Sequence, residues 1–205
     1  MLTIYNDDEN EYQQVEEPDA SFNYTYADYM KWKFEERLEL IRGKIMKMGA
    51  PTTLHQKVAM KLQYEIYGYL RGKACFPFMA PFDVRLPVKN RKKDYQITTV
   101  VQPDLGVVCD QSKIDTRGCC GAPDLIIEIL SPGNSKRDVR IKYDLYEEAG
   151  VKEYWIIHPS DETVAVFLLN DIQKFDGARM YAEGDVLNST AVTGFTINVT
   201  EIFTN

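Results

Sequence analysis

Glu128 is the residue with the clearest chemical consequence, because it lies inside the apolar run LIIEIL at 125–130. A carboxylate buried without a partner is costly, so this position requires compensation. A nearby lysine or arginine could supply it, and so could a bound cation; the pattern leaves both open. If the run is a strand, Glu128 shares one face with Asp124, Ile126 and Leu130, so it need not point into the deepest layer.

A second acid, Asp104, follows Pro103 at the start of the strand-like stretch LGVVC, 24 residues before Glu128. The two carboxylates could meet across adjacent strands, where their hard oxygen ligands would suit Mg²⁺ or Mn²⁺. The Pro-Asp pair is by itself a weak signal, because it is also common in turns and at strand starts. Pro123-Asp124 is a second such pair, and we interpret Asp124 as structural.

Three further side chains could contribute, and each also has an ordinary structural interpretation. Lys142 could lean from its helix toward the sheet, but Asp138, four residues earlier, could hold it in an exposed ion pair. His55 shares a helical face with apolar residues, which is more typical of a half-buried or helix-start histidine than of a ligand. Glu39 alternates with apolar residues in LELI, and its default interpretation is a surface carboxylate.

The charge distribution bears on whether the partner is a nucleic acid. A net charge of −7 argues against a phosphate-binding protein. However, residues 1–19 hold seven acids and no base, so the remaining chain carries 24 residues of each sign. Basic residues cluster at 71–94, including the loop Lys89 to Lys93, and again at 136–142. Either cluster could face phosphate, although a solvated surface is the commoner role.

Composition and cysteine usage set the class of protein. A hydrophobic content of 44% is enough for a sizeable core. The four cysteines have no CxxC spacing and the chain has only two histidines, so a zinc site is not expected. Neither a secretory leader nor a membrane span is apparent. We therefore expect reduced thiols, a cytoplasmic location and no membrane partner.

The elements that must position these residues can be read from periodicity. An acidic, flexible tail is predicted at 1–25 and a single domain at 26–205. The elements predicted before the LIIEIL run are a short helix between Tyr26 and Leu38, a hairpin of 38–41 and 44–48, a helix capped by Thr53 and ending near Leu70, and strands at 76–88 and 100–109.

The strand at 125–130 is followed by a helix at 135–149 and a strand at 153–157. This order predicts a right-handed parallel crossover, with a ligand site near the carboxyl ends of the strands. Added β structure, joined by turns, is expected beyond Pro159. The predicted fold class is therefore α/β (α+β) with extra β hairpins.

These residues fall within stretches that together resemble a known bacterial family. The stretches are LELIRGKI, LHQKVAMKL, PFDVRL, VVQPDLGVVCD, GAPDLIIEILSPGNSKRD, IKYDLYEEAGVKEYWIIHP and the closing TEIF. They resemble the "putative restriction endonuclease" family, named the Uma-two family, and the match runs from about Tyr26 to Phe203. The block at 121–159 is its most specific part, and the acidic tail lies outside it.

The resemblance implies a fold and a set of site residues. The fold is that of PD-(D/E)XK nucleases, a mixed sheet flanked by helices, over 26–205. Asp104 matches the Pro-Asp acid and Glu128 the second acid, which together would hold Mg²⁺ or Mn²⁺. Glu39 matches the first acidic position. The superfamily motif has a lysine two residues after the second acid, where this chain has Leu130; Lys142 is the expected replacement.

The activity that the resemblance implies is metal-dependent hydrolysis of phosphodiester bonds in DNA by an endonuclease, a hydrolase acting on ester bonds. A homodimer is a further expectation, because cutting both strands of a duplex is commonly done by a two-fold dimer. The alternative is a catalytically degenerate nuclease fold that acts as a nucleic-acid-binding or interaction module. A different substrate for the same metal pair is a third possibility.

Overall fold

Two multi-stranded sheets, each of mixed strand direction, form the body of the protein, and helices pack against them. The computed structural model describes residues 2–6, 11–15, 22–32, 36–88, 92–132 and 136–204. Within these residues the chain is the mixed α+β structure that the alternation of strand and helix patterns predicts.

The elements are numbered in chain order. The strands are β1 (Leu2–Asn6), β2 (Glu11–Val15), β3 (Leu38–Ile41), β4 (Lys44–Lys47), β5 (Phe76–Met79), β6 (Val84–Arg85), β7 (Val100–Val101), β8 (Leu105–Val108), β9 (Ile114–Asp115), β10 (Gly118–Cys120), β11 (Leu125–Ile129), β12 (Glu153–His158), β13 (Thr163–Leu168), β14 (Arg179–Tyr181), β15 (Val186–Asn188) and β16 (Thr196–Asn198). The helices are α1 (Tyr26–Tyr29), α2 (Thr53–Leu70), α3 (Lys136–Ala149) and α4 (Val199–Phe203).

The central sheet has the strand order β14-β13-β12-β11-β8-β5. β11 and β12 pair in parallel, and every other pair in this sheet is antiparallel. The chain between the parallel strands contains α3, so the predicted parallel crossover is confirmed. Because β8 runs antiparallel to β11 and Leu105 pairs with Ile127, Asp104 and Glu128 lie side by side at the same end of this strand pair.

The second sheet has the strand order β4-β3-β7-β6-β10-β9. Its β3–β4 hairpin is confirmed at 38–41 and 44–47. The connecting residues Arg42 and Gly43 both have positive φ, 50° and 80°, as a tight two-residue hairpin turn requires. Further antiparallel pairs, β13–β14 and β15–β16, supply the added β structure expected beyond Pro159.

β11 separates two hydrophobic cores. Leu125 and Ile127 face α2 and the C-terminal segment that contains β15, β16 and α4. Ile126 faces the opposite side, where it packs in one cluster with Tyr146 of α3. Glu128 also lies on this second side, because it accepts a hydrogen bond from Tyr146. The predicted alternation of side chains along this strand is therefore confirmed.

Three predicted elements before the LIIEIL strand need correction. The helix expected between Tyr26 and Leu38 ends at Tyr29, because the chain bends so that Trp32 packs on two tyrosine rings. The strands expected at 76–88 and 100–109 are each divided into two short strands. Prolines lie in both interruptions, at 81 and 103, and proline has no N–H to continue a ladder.

The N-terminal cap of α2 is Thr52 rather than the predicted Thr53. Its hydroxyl accepts a hydrogen bond from the backbone N–H of His55 at 3.2 Å. Thr53 is the first helical residue. The helix ends at Leu70, as predicted, and Gly72 beyond it has a φ of 80°.

The expectation of reduced thiols is wrong for two of the four cysteines. Cys75 and Cys109 form a disulfide, whereas Cys119 and Cys120 are free. The disulfide continues the pairing of β5 with β8, because Phe76 lies opposite Val108 in that ladder. The cytoplasmic location, which rested in part on reduced thiols, stays a prediction.

The N-terminal segment contains a pair of strands. β1 and β2 pair antiparallel within the segment predicted to be a tail, where order was expected only from Tyr26 onward. The division into tail and domain stays a prediction. Among the described residues, no helix has the length and apolar character needed to cross a bilayer.

Glu153 fastens the C-terminal segment to the central sheet. Its side chain is fully buried at the start of β12. Oε1 accepts a hydrogen bond from the indole of Trp155 at 2.7 Å. Oε2 accepts three, from the Ser189 hydroxyl and the backbone N–H groups of Thr190 and Ala191. These contacts satisfy a buried charge that would otherwise be costly.

We expect Glu153→Gln to lower the free energy of unfolding by about 2–4 kcal/mol. An amide has a single acceptor oxygen. In the glutamine variant, either the indole N–H of Trp155 or the three donors around Oε2 would therefore face an NH₂ group instead. Urea unfolding followed by tryptophan fluorescence measures the change. Exposed Glu162→Gln is the control, and equal stability of the two variants would contradict the prediction.

Candidate functional site

A pocket of about 390 Å³ lies between the two sheets and the ends of two helices. Its walls come from the β3–β4 hairpin and the loop after it, the first turns of α2 and the N-terminal half of α3. The end of the β8–β11 strand pair that carries Asp104 and Glu128 completes the pocket wall. All four residues predicted for the site line this pocket: Glu39, Asp104, Glu128 and Lys142.

Glu128 is held through one of its two oxygens. Oε1 accepts hydrogen bonds from Lys142 Nζ at 2.9 Å and from the Tyr146 hydroxyl at 2.6 Å. Both donors come from the same face of α3, one helical turn apart. Among the described residues no group donates to Oε2. One oxygen is therefore fixed by the protein and the other is left for a ligand.

Asp104 is held in the same manner. Its Oδ2 accepts a hydrogen bond from the backbone N–H of Ile129 at 2.8 Å, across the β8–β11 pair. His55 Nε2 lies 3.1 Å from the same oxygen. Within the described part of the chain, Oδ1 receives no hydrogen bond. Asp104 and Glu128 thus each present one unoccupied oxygen at the pocket.

Lys142 links the two sheets. Its Nζ donates to Glu39 Oε1 at 3.1 Å as well as to Glu128. Glu39 also accepts from the backbone N–H of Gln102 and is only 4% exposed. The surface interpretation of Glu39 is therefore wrong. The exposed ion pair considered for Lys142 is wrong as well, because its charge is buried between two carboxylates.

Burial and charge shift the protonation of this cluster. Burial raises the pKa of Glu128; Lys142 offsets part of this rise and the charges of Asp104 and Glu39 add to it, giving about 7. Burial lowers the pKa of Lys142, but the carboxylates of Glu128 and Glu39 outweigh it and hold that pKa above its usual range. Burial also raises the pKa of the Tyr146 hydroxyl. Tyr146 is therefore a hydrogen-bond donor at neutral pH.

The donor set fits a hard divalent cation. Asp104 and Glu128 provide carboxylate oxygens, and one oxygen of each receives no hydrogen bond from the part of the chain that the structure describes. In the described ranges, no group of three or more His, Cys, Asp or Glu side chains could enclose a metal. Two carboxylates are nevertheless a common protein contribution to Mg²⁺, which keeps waters and substrate phosphates as its remaining ligands.

Other residues singled out from the sequence lie elsewhere. Asp124, interpreted as structural, accepts hydrogen bonds from the backbone of Cys109 and from Lys152. Lys92 of the basic loop lines a different cavity. Residues 89–91 of that loop lie outside the described residues, as does position 135 at the predicted start of α3.

Sequence reasoning did not assign a role at the site to three residues: His55 and Arg37, which line the pocket, and Tyr146, which donates a hydrogen bond to Glu128. Tyr146 could have been found, because it lies four residues after Lys142 on the same helical face. His55 was interpreted as structural, yet it lines the pocket and contacts Asp104. Arg37 lines the pocket without a distinguishing sequence signal.

Three comparisons relate this chain to known proteins. The family model Uma2, described as "Putative restriction endonuclease", matches residues 26–200. An uncharacterised protein of Synechocystis sp. is 23% identical over 158 residues, which cover 75% of this chain and 79% of that protein.

A crystal structure of a putative nuclease of the DUF820 family from Anabaena variabilis superposes with a TM-score of 0.70 and 20% identity. The superposition covers 88% of this chain and 97% of that chain. At this identity the likeness concerns the fold, and it confirms the restriction-endonuclease-like architecture predicted from the sequence.

The raised pKa of Glu128 predicts a pH-dependent stability. A carboxyl group whose pKa is higher in the folded than in the unfolded protein stabilises the fold fully only below its unfolded value. That contribution is lost as pH rises from about 4.5 to about 7. Glu128→Gln lacks this titration, so its stability relative to wild type should increase between pH 5 and pH 8, by on the order of 1–3 kcal/mol.

Urea unfolding of both proteins at the two pH values, with chelator present, measures this difference. Exposed Glu183→Gln serves as the control, and its stability relative to wild type should not change with pH. A Glu128→Gln difference that is the same at pH 5 and pH 8 would exclude this account of the buried carboxyl.

Proposed function

The chain belongs to the family described as putative restriction endonucleases, and from its pocket we propose a metal-dependent endonuclease that hydrolyses phosphodiester bonds in DNA. Membership supports nuclease function in general terms. The metal, the DNA substrate and the roles of individual residues are our proposal, and the pocket geometry is its support.

One observation carries the proposal. Asp104 and Glu128 lie beside each other at one end of the β8–β11 pair. Each is fixed through one oxygen, and among the described residues no group donates a hydrogen bond to the other oxygen. In a buried structural ion pair, both oxygens of the carboxylate would be expected to accept hydrogen bonds from protein donors. Carboxylates that are oriented but incompletely used are instead the ligands expected of a cation site.

In this proposal Asp104 Oδ1 and Glu128 Oε2 hold Mg²⁺ or Mn²⁺. A cation bound there would supply a Lewis acid and lower the pKa of a coordinated water. The protein's own residues orient the two ligands. Lys142 fixes Glu128 and keeps a third N–H, which could orient the attacking water or offset charge on the phosphate.

Lys142 reaches the site from a helix rather than from the strand that carries Glu128. The superfamily motif would place a lysine at 130, where this chain has leucine, and Lys142 reaches Glu128 from α3 instead. Glu39 accepts from the same ammonium group, so it limits where the lysine can move. Their geometry supports the role that the family resemblance assigns to Lys142.

A DNA substrate requires positive charge near the scissile phosphate. The body of the chain is balanced in charge, so affinity must come from local contacts. Arg37 and Lys47 line the pocket, and in this proposal they contact backbone phosphates, which carry no base information. Cleavage of both strands by a two-fold dimer stays a prediction.

The test is cleavage of supercoiled plasmid and of single-stranded DNA with Mg²⁺ or Mn²⁺. We expect Asp104→Asn to lower the rate at least 100-fold, because it removes a negatively charged ligand. Exposed Asp171→Asn, purified identically, should cut like wild type, and chelator should abolish cutting in both. A wild type that cuts neither DNA with either metal would favour the binding module.

Lys142 allows a separate prediction. Lys142→Met should lower cleavage about 100-fold or more. It should also reduce the free energy of unfolding by about 3–5 kcal/mol, because it leaves two buried carboxylates without a cation. Plasmid cleavage and urea unfolding measure the two effects. Lys61→Met on α2, whose partner Glu65 lies near the surface, is the control.

Bound Mn²⁺ should restore part of the stability of Lys142→Met by supplying the missing positive charge. If Lys142→Met were as stable and as active as the Lys61 control, Lys142 would have no role in the site.

A further inference from the structure

His55 occupies a fixed position in the first turn of α2. Its backbone N–H donates to the hydroxyl of Thr52, the N-cap residue. Its side chain is 9% exposed and lies on the buried face of the helix, with Val58 and Ala59. The backbone is therefore held by the cap hydrogen bond and the ring by packing.

Among the described residues, the polar contact of this ring is with Asp104. Nε2 lies 3.1 Å from Oδ2, a distance at which an N–H can donate to a carboxylate. Nδ1 is buried and has no hydrogen-bond partner among the described residues. The imidazole therefore has a single polar contact in the described chain, and it is to a residue of the pocket.

Packing alone does not account for a histidine here. A buried nitrogen without a partner costs about 1–3 kcal/mol. Leucine or methionine would fill a similar volume without that cost. The compensating feature is the contact with Asp104, whose Oδ2 also accepts from the backbone of Ile129. The backbone N–H of Ile129 in β11 and the ring of His55 in α2 therefore contact the same oxygen of Asp104.

We propose that His55 is a positioning residue of the metal site. Its Nε2–H, together with the Ile129 N–H, fixes the rotation of the Asp104 carboxylate so that Oδ1 is the oxygen presented to the cation. The inference rests on the proposed function, because it assigns His55 to the same metal site. With the Ile129 bond alone, the carboxylate could rotate away from this orientation. Loss of such a supporting hydrogen bond commonly lowers metal affinity 10- to 100-fold.

The test compares two substitutions that differ in one hydrogen-bond donor. Glutamine has an amide N–H the same number of bonds from Cβ as Nε2 of histidine, whereas leucine has no donor. Isothermal titration calorimetry of the full chain with Mn²⁺ measures affinity without reference to cleavage. We expect His55→Leu to weaken Mn²⁺ binding about 10- to 100-fold and His55→Gln to restore most of the loss.

The other histidine of the chain provides matched controls. His158 does not line the pocket, so His158→Leu and His158→Gln should bind Mn²⁺ like wild type. Thermal unfolding with chelator identifies any variant that has lost its fold. If His55→Leu proves unstable, the comparison of His55→Gln with His55→Asn replaces it, because asparagine is one bond shorter and should not reach Asp104.

The outcomes separate this inference from the proposed function. Wild-type affinity in His55→Leu, with wild-type cleavage, would overturn the role of His55 and leave the nuclease in place. Equal loss in the leucine and glutamine variants would overturn it as well, because the donor would not matter. If the wild type binds Mn²⁺ but does not cleave DNA, and Mn²⁺ affinity falls from wild type to His55→Gln to His55→Leu, the positioning role of His55 would be supported. The same result would count against the nuclease. A wild type that binds no Mn²⁺ would overturn both.

Discussion

The structure depends on keeping the carboxylate of Glu128 inside the protein. It lies on a central strand and is 8% exposed, where an unpaired charge would be costly. Lys142 and Tyr146 compensate it from a single helix, and Glu39 shares the lysine from the second sheet. One charge therefore links three elements, β11, α3 and β3.

This arrangement costs stability. Burial raises the pKa of Glu128 to about 7, so ionising this carboxyl is less favourable in the folded than in the unfolded protein. A well-packed apolar residue would be more favourable for folding at this position. The stability required to carry the site must come from elsewhere, such as the two apolar cores on either side of β11 and the contacts of Glu153. Such an exchange is common where a site must be charged and buried.

The two acids of the pocket are oriented by a shared principle. Each has one oxygen bound by protein donors, and these donors come from a strand backbone or from helices. Rigid elements hold ligands more accurately than loops do, so in the proposed metal site the second oxygen of each carboxylate would be oriented before a cation binds. The Asp104 side of this arrangement depends on α2, whose first turn brings His55 to the carboxylate.

The sequence by itself determined the directions of side chains and the order of elements. Alternation in LIIEIL placed Glu128 on the face opposite Leu125, Ile127 and Ile129, and the strand-helix-strand order predicted the parallel pair of β11 and β12. Helical spacing placed Lys142 toward the sheet as one alternative. These features are local, because periods of 2 and 3.6 residues set which way neighbouring side chains point.

Only the tertiary structure decided which groups meet. Lys142 could have paired with Asp138 on its own helix, and Glu39 could have been a surface acid; the packing of the second sheet against α3 buried both. The partner of His55 and the pairing of Cys75 with Cys109 likewise depend on residues distant along the chain. Periodicity gives the face of an element but not the element that covers it, because that is decided by how all the apolar faces are buried together.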